Sequence, residues 1–329
     1  HVFTPVTLTG FTQACVVADM NTFNGGDSAS VRHRNLSATG VEVQVDEEAS
    51  ADAETLHTSE TIGVLTIDCA PPAAEGAASG LVSGVNDAWQ TVILPATFVD
   101  PVVVAGPASG NGGDPGVVEI RNVTPGSFEV RFREWDYLDG THALAEDVSY
   151  VVVERGVTTL PSGAVIEAGT AVAATDTFAP QTFAGVFAAP PVVVSTVDAT
   201  TPPATVVAPR IQNVLTTGFD LRVQQQESLG AGGSGDVNWI AWSVGSDTGG
   251  MDGFAWETQT VATVTGNGNF VAVPFAGTYG QACVVADMNT FDGPDPGSVR
   301  HRNLSNTGID LQVDEESSLD GETFHIAET

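Results

Sequence analysis

The chain repeats itself, and the size of the repeat sets the terms of any fold. Residues Cys15–Thr61 return without a gap as Cys283–Thr329, with 33 of 47 positions identical at an offset of 268 residues. That offset is too long for one small β-domain, and self-similarity at a fixed period is the mark of repeat architectures. Two diverged copies fill the interval. Arg34-Asn-Leu-Ser followed by Val41-Glu-Val-Gln-Val-Asp-Glu-Glu48 is echoed by Arg121-Asn-Val-Thr followed by Phe128-Glu-Val-Arg-Phe-Arg-Glu-Trp135. It is echoed again by Gln212-Asn-Val-Leu followed by Phe219-Asp-Leu-Arg-Val-Gln-Gln-Gln226. Four modules result: A (1–75), B (76–160), C (161–248) and A′ (249–329).

Each module reads as the same run of short strands. Val41, Val43 and Val45 alternate with Glu42, Gln44 and Asp46, the period-2 pattern of a half-buried antiparallel strand. Apolar bursts such as Pro101-Val-Val-Val-Ala105 and Pro190-Pro-Val-Val-Val-Ser195 end in loops rich in Gly, Pro and Asp. No helical period is sustained long enough to make a helix. The expected fold class is all-β, a tandem array of antiparallel β-sandwiches.

The two end modules read as incomplete. Thr329 aligns with Thr61, just before the last strand of A at Ile62–Ile67, so A′ stops short of that strand. His1 aligns with Asn269, so A lacks the first strand that A′ carries around Gln259–Val264. An unpaired sheet edge attracts another strand. The expectation is a segment of a longer tandem array, or copies that complete one another head to tail by strand donation. The cysteines fit the same picture. Cys15 and Cys69 are a candidate disulfide within A, and the repeat partner of Cys283 would fall at position 337. Three unpaired buried thiols are the alternative.

The residues Trp89-Gln-Thr-Val-Ile-Leu-Pro, Phe98-Val-Asp-Pro-Val-Val-Val, Arg121-Asn-Val-Thr-Pro-Gly-Ser-Phe128 and Val148-Ser-Tyr-Val-Val-Val-Glu-Arg-Gly156 resemble the H-type lectin domain. Through the repeat, the resemblance extends over nearly the whole chain. It implies six-stranded antiparallel sandwiches, often trimeric, that bind sugars like N-acetylgalactosamine. Members use an Arg before the central turn and an aromatic followed by His at the end of the next strand. The Arg position reads Arg32, Glu119, Arg210 and Arg300 in A, B, C and A′; the aromatic position reads Glu48, Trp135, Gln226 and Glu316. Trp135 is followed by Asp136, and no module combines the Arg with the Trp. Arg32, Arg210, Arg300, Trp135 and Asp136 are therefore the candidate ligand contacts, with Trp135 packed against a neighbouring module as the competing role.

Charge narrows the function further. The chain holds 41 acidic residues against 10 basic ones, all Arg, for a net charge of −31. That balance argues against nucleic-acid binding and against docking on an anionic membrane. No apolar run approaches the ~20 residues of a helical span, so no membrane insertion is expected. A salty habitat also accounts for the acidity. Asp19, Asn21 and Asp27, repeated as Asp287, Asn289, Asp292 and Asp295, are candidate Ca²⁺ ligands in Gly-punctuated loops; no other cofactor is expected. A second acidic set at Asp46, Glu47, Glu48, Asp52 and Glu54 reads as a solvated loop, and His33 and His301 as outward strand residues. Asn35, Asn122 and Asn303 begin Asn-x-Ser/Thr motifs at one equivalent turn, whereas module C reads Asn213-Val-Leu215. No nucleophile elbow, phosphate loop or zinc-protease motif is present in the sequence, so no enzyme activity is expected. The sequence points to a structural subunit of an extracellular or virion-surface filament whose partners are copies of itself. A multivalent carbohydrate-binding adhesin that recognises cell-surface glycans is the alternative.

Overall fold

Runs of Val, Thr and Ala, punctuated by Gly, Pro and Asp, break the chain into short strands. The computed structural model describes residues 76–109, 111, 112, 114 and 116–248. It also describes the segments 4–7, 10–11, 14–19, 29–37, 40–47, 62–68, 252, 254–261, 271–275, 279–280, 284–288, 297–302, 305 and 307–315. Stretch A holds β1 (Thr4–Thr7), β2 (Gly10–Phe11), β3 (Ala14–Asp19), β4 (Ala29–Ser37), β5 (Gly40–Glu47) and β6 (Ile62–Asp68). Stretch B holds β7 (Ala77–Val85), β8 (Gln90–Ile93), β9 (Pro101–Ser109), β10 (Gly116–Thr124), β11 (Ser127–Glu134) and β12 (Glu146–Glu154). After a lead-in strand β13 (Gly156–Thr159), stretch C holds β14 (Val165–Thr175), β15 (Ala179–Thr182), β16 (Val192–Asp198), β17 (Val207–Leu215), β18 (Gly218–Gln225) and β19 (Ser234–Trp242). A second lead-in strand, β20 (Gly245–Thr248), opens A′ with β21 (Ala255–Val261), β22 (Val271–Pro274), β23 (Tyr279–Gly280), β24 (Val284–Met288), β25 (Gly297–Arg302) and β26 (Gly308–Glu315). The fold is all-β, as the sequence pattern requires, and among the described residues no helix is long and apolar enough to cross a membrane.

B and C are each a three-on-three sandwich. In B, β7, β12 and β9 form one layer and β8, β11 and β10 the other; in C the layers are β14, β19, β16 and β15, β18, β17. β11 buries alternate residues, Phe128, Val130 and Phe132, as a one-sided strand should. The apolar bursts behave differently, because they are covered on both faces. Val103 and Ala105 point into the core of B, while Val102 and Val104 point out of it into a second apolar layer. β12, β16 and β19 divide in the same way, with Val152 inward and Val151 outward, Val193 inward and Val194 outward, Trp239 inward and Trp242 outward. The outward residues of B and C meet each other and meet Phe254 and Trp256 of A′ in one shared central cluster.

The modules are joined by one repeated device. β4 of A runs parallel to β9 of B through Arg32↔Ala108, and β10 of B runs parallel to β16 of C through Glu119↔Val197. By repeat alignment these are the same pair of positions. Side chains reinforce the B–C joint: the Thr196 hydroxyl donates to the Ala105 carbonyl and accepts from its amide, both at 2.8 Å. β17 of C lies in turn against β24 of A′.

The last strand of A pairs with a strand from the far end of the chain. β21 pairs antiparallel with β6, from Trp256↔Ile67 to Val261↔Ile62. With β24 on its other side, β6 gives the order β21–β6–β24, which matches β7–β12–β9 and β14–β19–β16. The last strand of A thus completes A′. β3 pairs with that same edge of β6 in the same register, Val16↔Thr66 beside Val284↔Thr66. β3 and β24 are the same stretch of the repeat, Val16 aligning with Val284.

The pairing of first and last strands is also matched residue by residue. Gly80 faces Tyr150 and Gly169 faces Trp239, an aromatic lying over a glycine on the neighbouring strand. In the β21–β6 pair the same position holds Gln259 opposite Val64, with neither aromatic nor glycine. A Cβ on Gly80 would lie 2.6 Å from the Tyr150 ring. Gly80→Ala is therefore expected to cost about 1–3 kcal/mol in urea unfolding. Gly126→Ala, where a Cβ meets nothing within 4 Å, should change stability by less than ~0.5 kcal/mol.

Candidate functional site

Module B carries the densest polar arrangement, built along the β10–β11 ladder. Glu119, at the position where the lectin resemblance expects Arg, is fully buried and lies opposite Arg131. Arg131 donates to Glu119 Oε2 from Nε at 2.9 Å and from Nη2 at 2.7 Å; Arg133 Nη1 reaches Oε1 at 3.3 Å. Arg133 Nη2 continues to Asp136 Oδ1 at 3.0 Å, and Asp136 Oδ2 accepts the Val206 amide of module C at 2.8 Å. A buried carboxylate needs such partners, since an uncompensated one is costly. The network ends on the neighbouring module, so its product is a fixed B–C joint.

Trp135 belongs to that joint. Its side chain is 0% exposed and packs with Val117, Val206 and Ala208, leaving no ring face for a ligand. The side chain at this position belongs to an interface, where large aromatics gain most from burial. A pocket of about 270 Å³ remains beside it, bordered by Asp87, Arg131, Arg133, Asp136 and Asp139. Half-buried Trp89 lies under two guanidinium groups, Arg121 at 4.2 Å and Arg131 at 4.4 Å from its ring centre. Arg121, then Asn122, hold the half-buried Glu129 carboxyl below the usual carboxylate range by hydrogen bonding.

In module C, Arg210 is 1% exposed and faces Arg222 across the strands. Burial lowers the Arg222 guanidinium to about 10, with Asp176 pulling the other way. Arg32 lies on β4 opposite Gln44, and Arg300 on β25 opposite Gln312, both placed by backbone alone. The five candidate ligand contacts are therefore spread over four modules, with only Trp135 and Asp136 sharing one. Cys15 and Asp19 lie on β3 and Asp287 on β24. Cys69, Cys283, Asn21, Asp27, Asn289, Asp292, Asp295 and Asn303 lie outside the described residues.

Sequence reasoning missed His142. It is 2% exposed between two buried carboxylates, Nδ1 3.0 Å from Glu134 Oε1 and Nε2 2.8 Å from Glu146 Oε1. Glu146 also accepts the Ser109 hydroxyl at 2.6 Å and the amides of Asn111 at 2.9 Å and Gly112 at 2.8 Å. The serine contacts the carboxylate and not the imidazole, so the cluster is a latch on the β9–β10 loop rather than a nucleophile with its base. A signal was available in the repeat: Glu47, His57 and Glu60 in A, and Glu315, His325 and Glu328 in A′, keep the same order of residue types.

Between B and C runs a groove of about 850 Å³, whose walls include Asp100, Asn122, Arg155, Thr170, Asp198 and Asn238. Arg155 spans it, with Nε 2.9 Å from Asp100 Oδ2 and Nη1 3.2 Å from Thr170 Oγ1.

No family model matches the chain, and no solved structure matches it. The chain is 32% identical over 253 residues to halomucin of Haloquadratum walsbyi. The alignment covers 73% of this chain and 3% of halomucin, so the chain spans only a small part of the curated relative it matches.

Proposed function

We propose that this chain is a structural stretch of a large extracellular surface protein, in which 268-residue periods fold as three-module rings linked head to tail into a filament. The observation that carries this reading is the β21–β6–β24 sheet, in which one end of the chain completes a module at the other. Donation of β6 to the A′ of a neighbouring period or a second copy, in place of its own, would join rings with no new contact chemistry. The likeness to halomucin supports a surface location, and the charge of −31 suits a solvated, salt-exposed protein. Sugar binding has less support, because the Trp135 ring is spent on the B–C joint. Negative-stain microscopy at rising protein concentration is expected to show three-lobed particles associating into rows. Isolated particles at every concentration would overturn the filament, and recovery of the protein from the cytosol alone would overturn the surface location.

A further inference from the structure

The hairpin between the third and fourth strands is built alike in three modules. Asn35, Asn122 and Asn213 each adopt a left-handed backbone, with φ of 54°, 51° and 51°. Each stands at a shift in strand register, between Arg34 and Ser37, Arg121 and Thr124, and Gln212 and Leu215. Asparagine tolerates that conformation better than most residues. Its amide also secures the hairpin, Asn122 Nδ2 donating to Glu129 and Asn213 Nδ2 to Asp220, both at 2.8 Å. The asparagine therefore has a structural reason to be in each of these three modules.

The hydroxyl two residues later braces the turn where it occurs, Thr124 Oγ1 donating to the Ser127 carbonyl and accepting from its amide, both at 3.0 Å, but the turn forms without it. Ser37 and Thr124 supply it in A and B, whereas C has Leu215, yet the strands close through the same pairs: Ser37↔Gly40, Thr124↔Ser127 and Leu215↔Gly218. A hydroxyl is thus dispensable to the turn but completes an Asn-x-Ser/Thr motif in A, B and A′. Asn35, Ser37, Asn122 and Thr124 are all exposed, and Asn122 stands on the wall of the open groove between B and C.

We propose that Asn35, Asn122 and Asn303 carry N-linked glycans and that Asn213 does not. The inference rests on the extracellular location proposed above. The co-reactant is a glycan activated as a phosphate or diphosphate ester. The amide Nδ2 forms a bond to the anomeric carbon, the carbon–oxygen bond to phosphate breaks with its electron pair leaving on the phosphate, and the amide gives up one proton. The second Nδ2 hydrogen stays available to Glu129.

The protein itself offers a matched pair of peptides. With no Lys, cleavage after Arg releases residues 122–131 around Asn122 and 211–222 around Asn213. A second digest cut after Glu releases 120–129, which covers loss of cleavage beside a modified Asn122. Mass spectrometry of protein taken from its native cells should show a glycan increment on Asn122 and none on Asn213. Thr124→Val should abolish the increment, and Leu215→Thr should create one at Asn213. A bare Asn122 in protein recovered from the cell surface would overturn the proposal, as would an increment that survives Thr124→Val. Fractionation of the same cells separates the two readings: protein found only in the cytosol fails the surface location, and bare protein at the surface fails this inference.

Discussion

Trp256→Ala is expected to remove about 3–5 kcal/mol of stability and to open the proposed ring. Trp256 is 2% exposed, sits 5.5 Å from Trp242, and donates from Nε1 to Asp252 at 2.6 Å. It stands in the central cluster with Val102, Val104 and Val151 of B and Val192, Val194 and Ile240 of C, while its backbone pairs with Ile67 of A. One indole therefore touches the layer on which B, C and A′ converge. Truncation leaves a cavity there and deprives Asp252, itself 5% exposed, of one of its two donors, the Ser162 amide at 2.7 Å remaining. The sandwiches of B and C keep their own cores, so the weakest step left is release of β21 from β6. Trp239→Ala is the control, because Trp239 lies 5.3 Å from Phe219 inside the core of C. Both variants should shift the guanidinium midpoint, but only Trp256→Ala should enlarge the radius of gyration under native conditions. An unchanged radius for Trp256→Ala would mean that β21 does not close a ring as proposed.

The sandwich pattern was legible because each signal was local. Alternation at Val41–Val45 and Phe128–Phe132, the turn residues after Asn122, and the 268-residue period all survive without tertiary context. The double burial of Val102–Ala105 was not legible, since an apolar run reads the same whether one layer or two cover it. Its outward half is explained by the central cluster, which exists only when modules meet. Trp135 illustrates the same gap. Its identity suggested a ligand platform or an interface, and the deciding neighbours, Val206 and Ala208, lie some 70 residues away in another module. The pairing of β21 with β6 was not legible, because it brings positions nearly 200 residues apart into register, a distance over which no local signal reaches. His142 went unnoticed because a single histidine in a loop carries no weight until its carboxylates are seen to converge.

That histidine sets the second large expectation: His142→Ala should cost about 3–5 kcal/mol, the usual result of leaving buried charge without its partner. Both ring nitrogens meet carboxyl oxygens, so the one ring is the shared partner of Glu134 and Glu146. The ring also lies 4.5 Å from Phe132, and Gly112 passes so close that a Cβ there would fall 2.6 Å from Nε2, so neither water nor a loop shift easily replaces it. In the alanine variant Glu134 and Glu146, 4% and 0% exposed, face each other across the vacated space. Adding Glu134→Gln removes one of the two charges and should recover about 1–2 kcal/mol, a coupling that independent sites would not show. The loop provides a separate readout. Glu146 holds the Asn111 and Gly112 amides at 2.9 and 2.8 Å, so their hydrogen exchange should accelerate in the single variant before global unfolding. Loss of stability with no change at those amides would place the cost in packing against Phe132 alone. Additive behaviour of the two substitutions would mean that the carboxylates do not share the histidine as the geometry indicates.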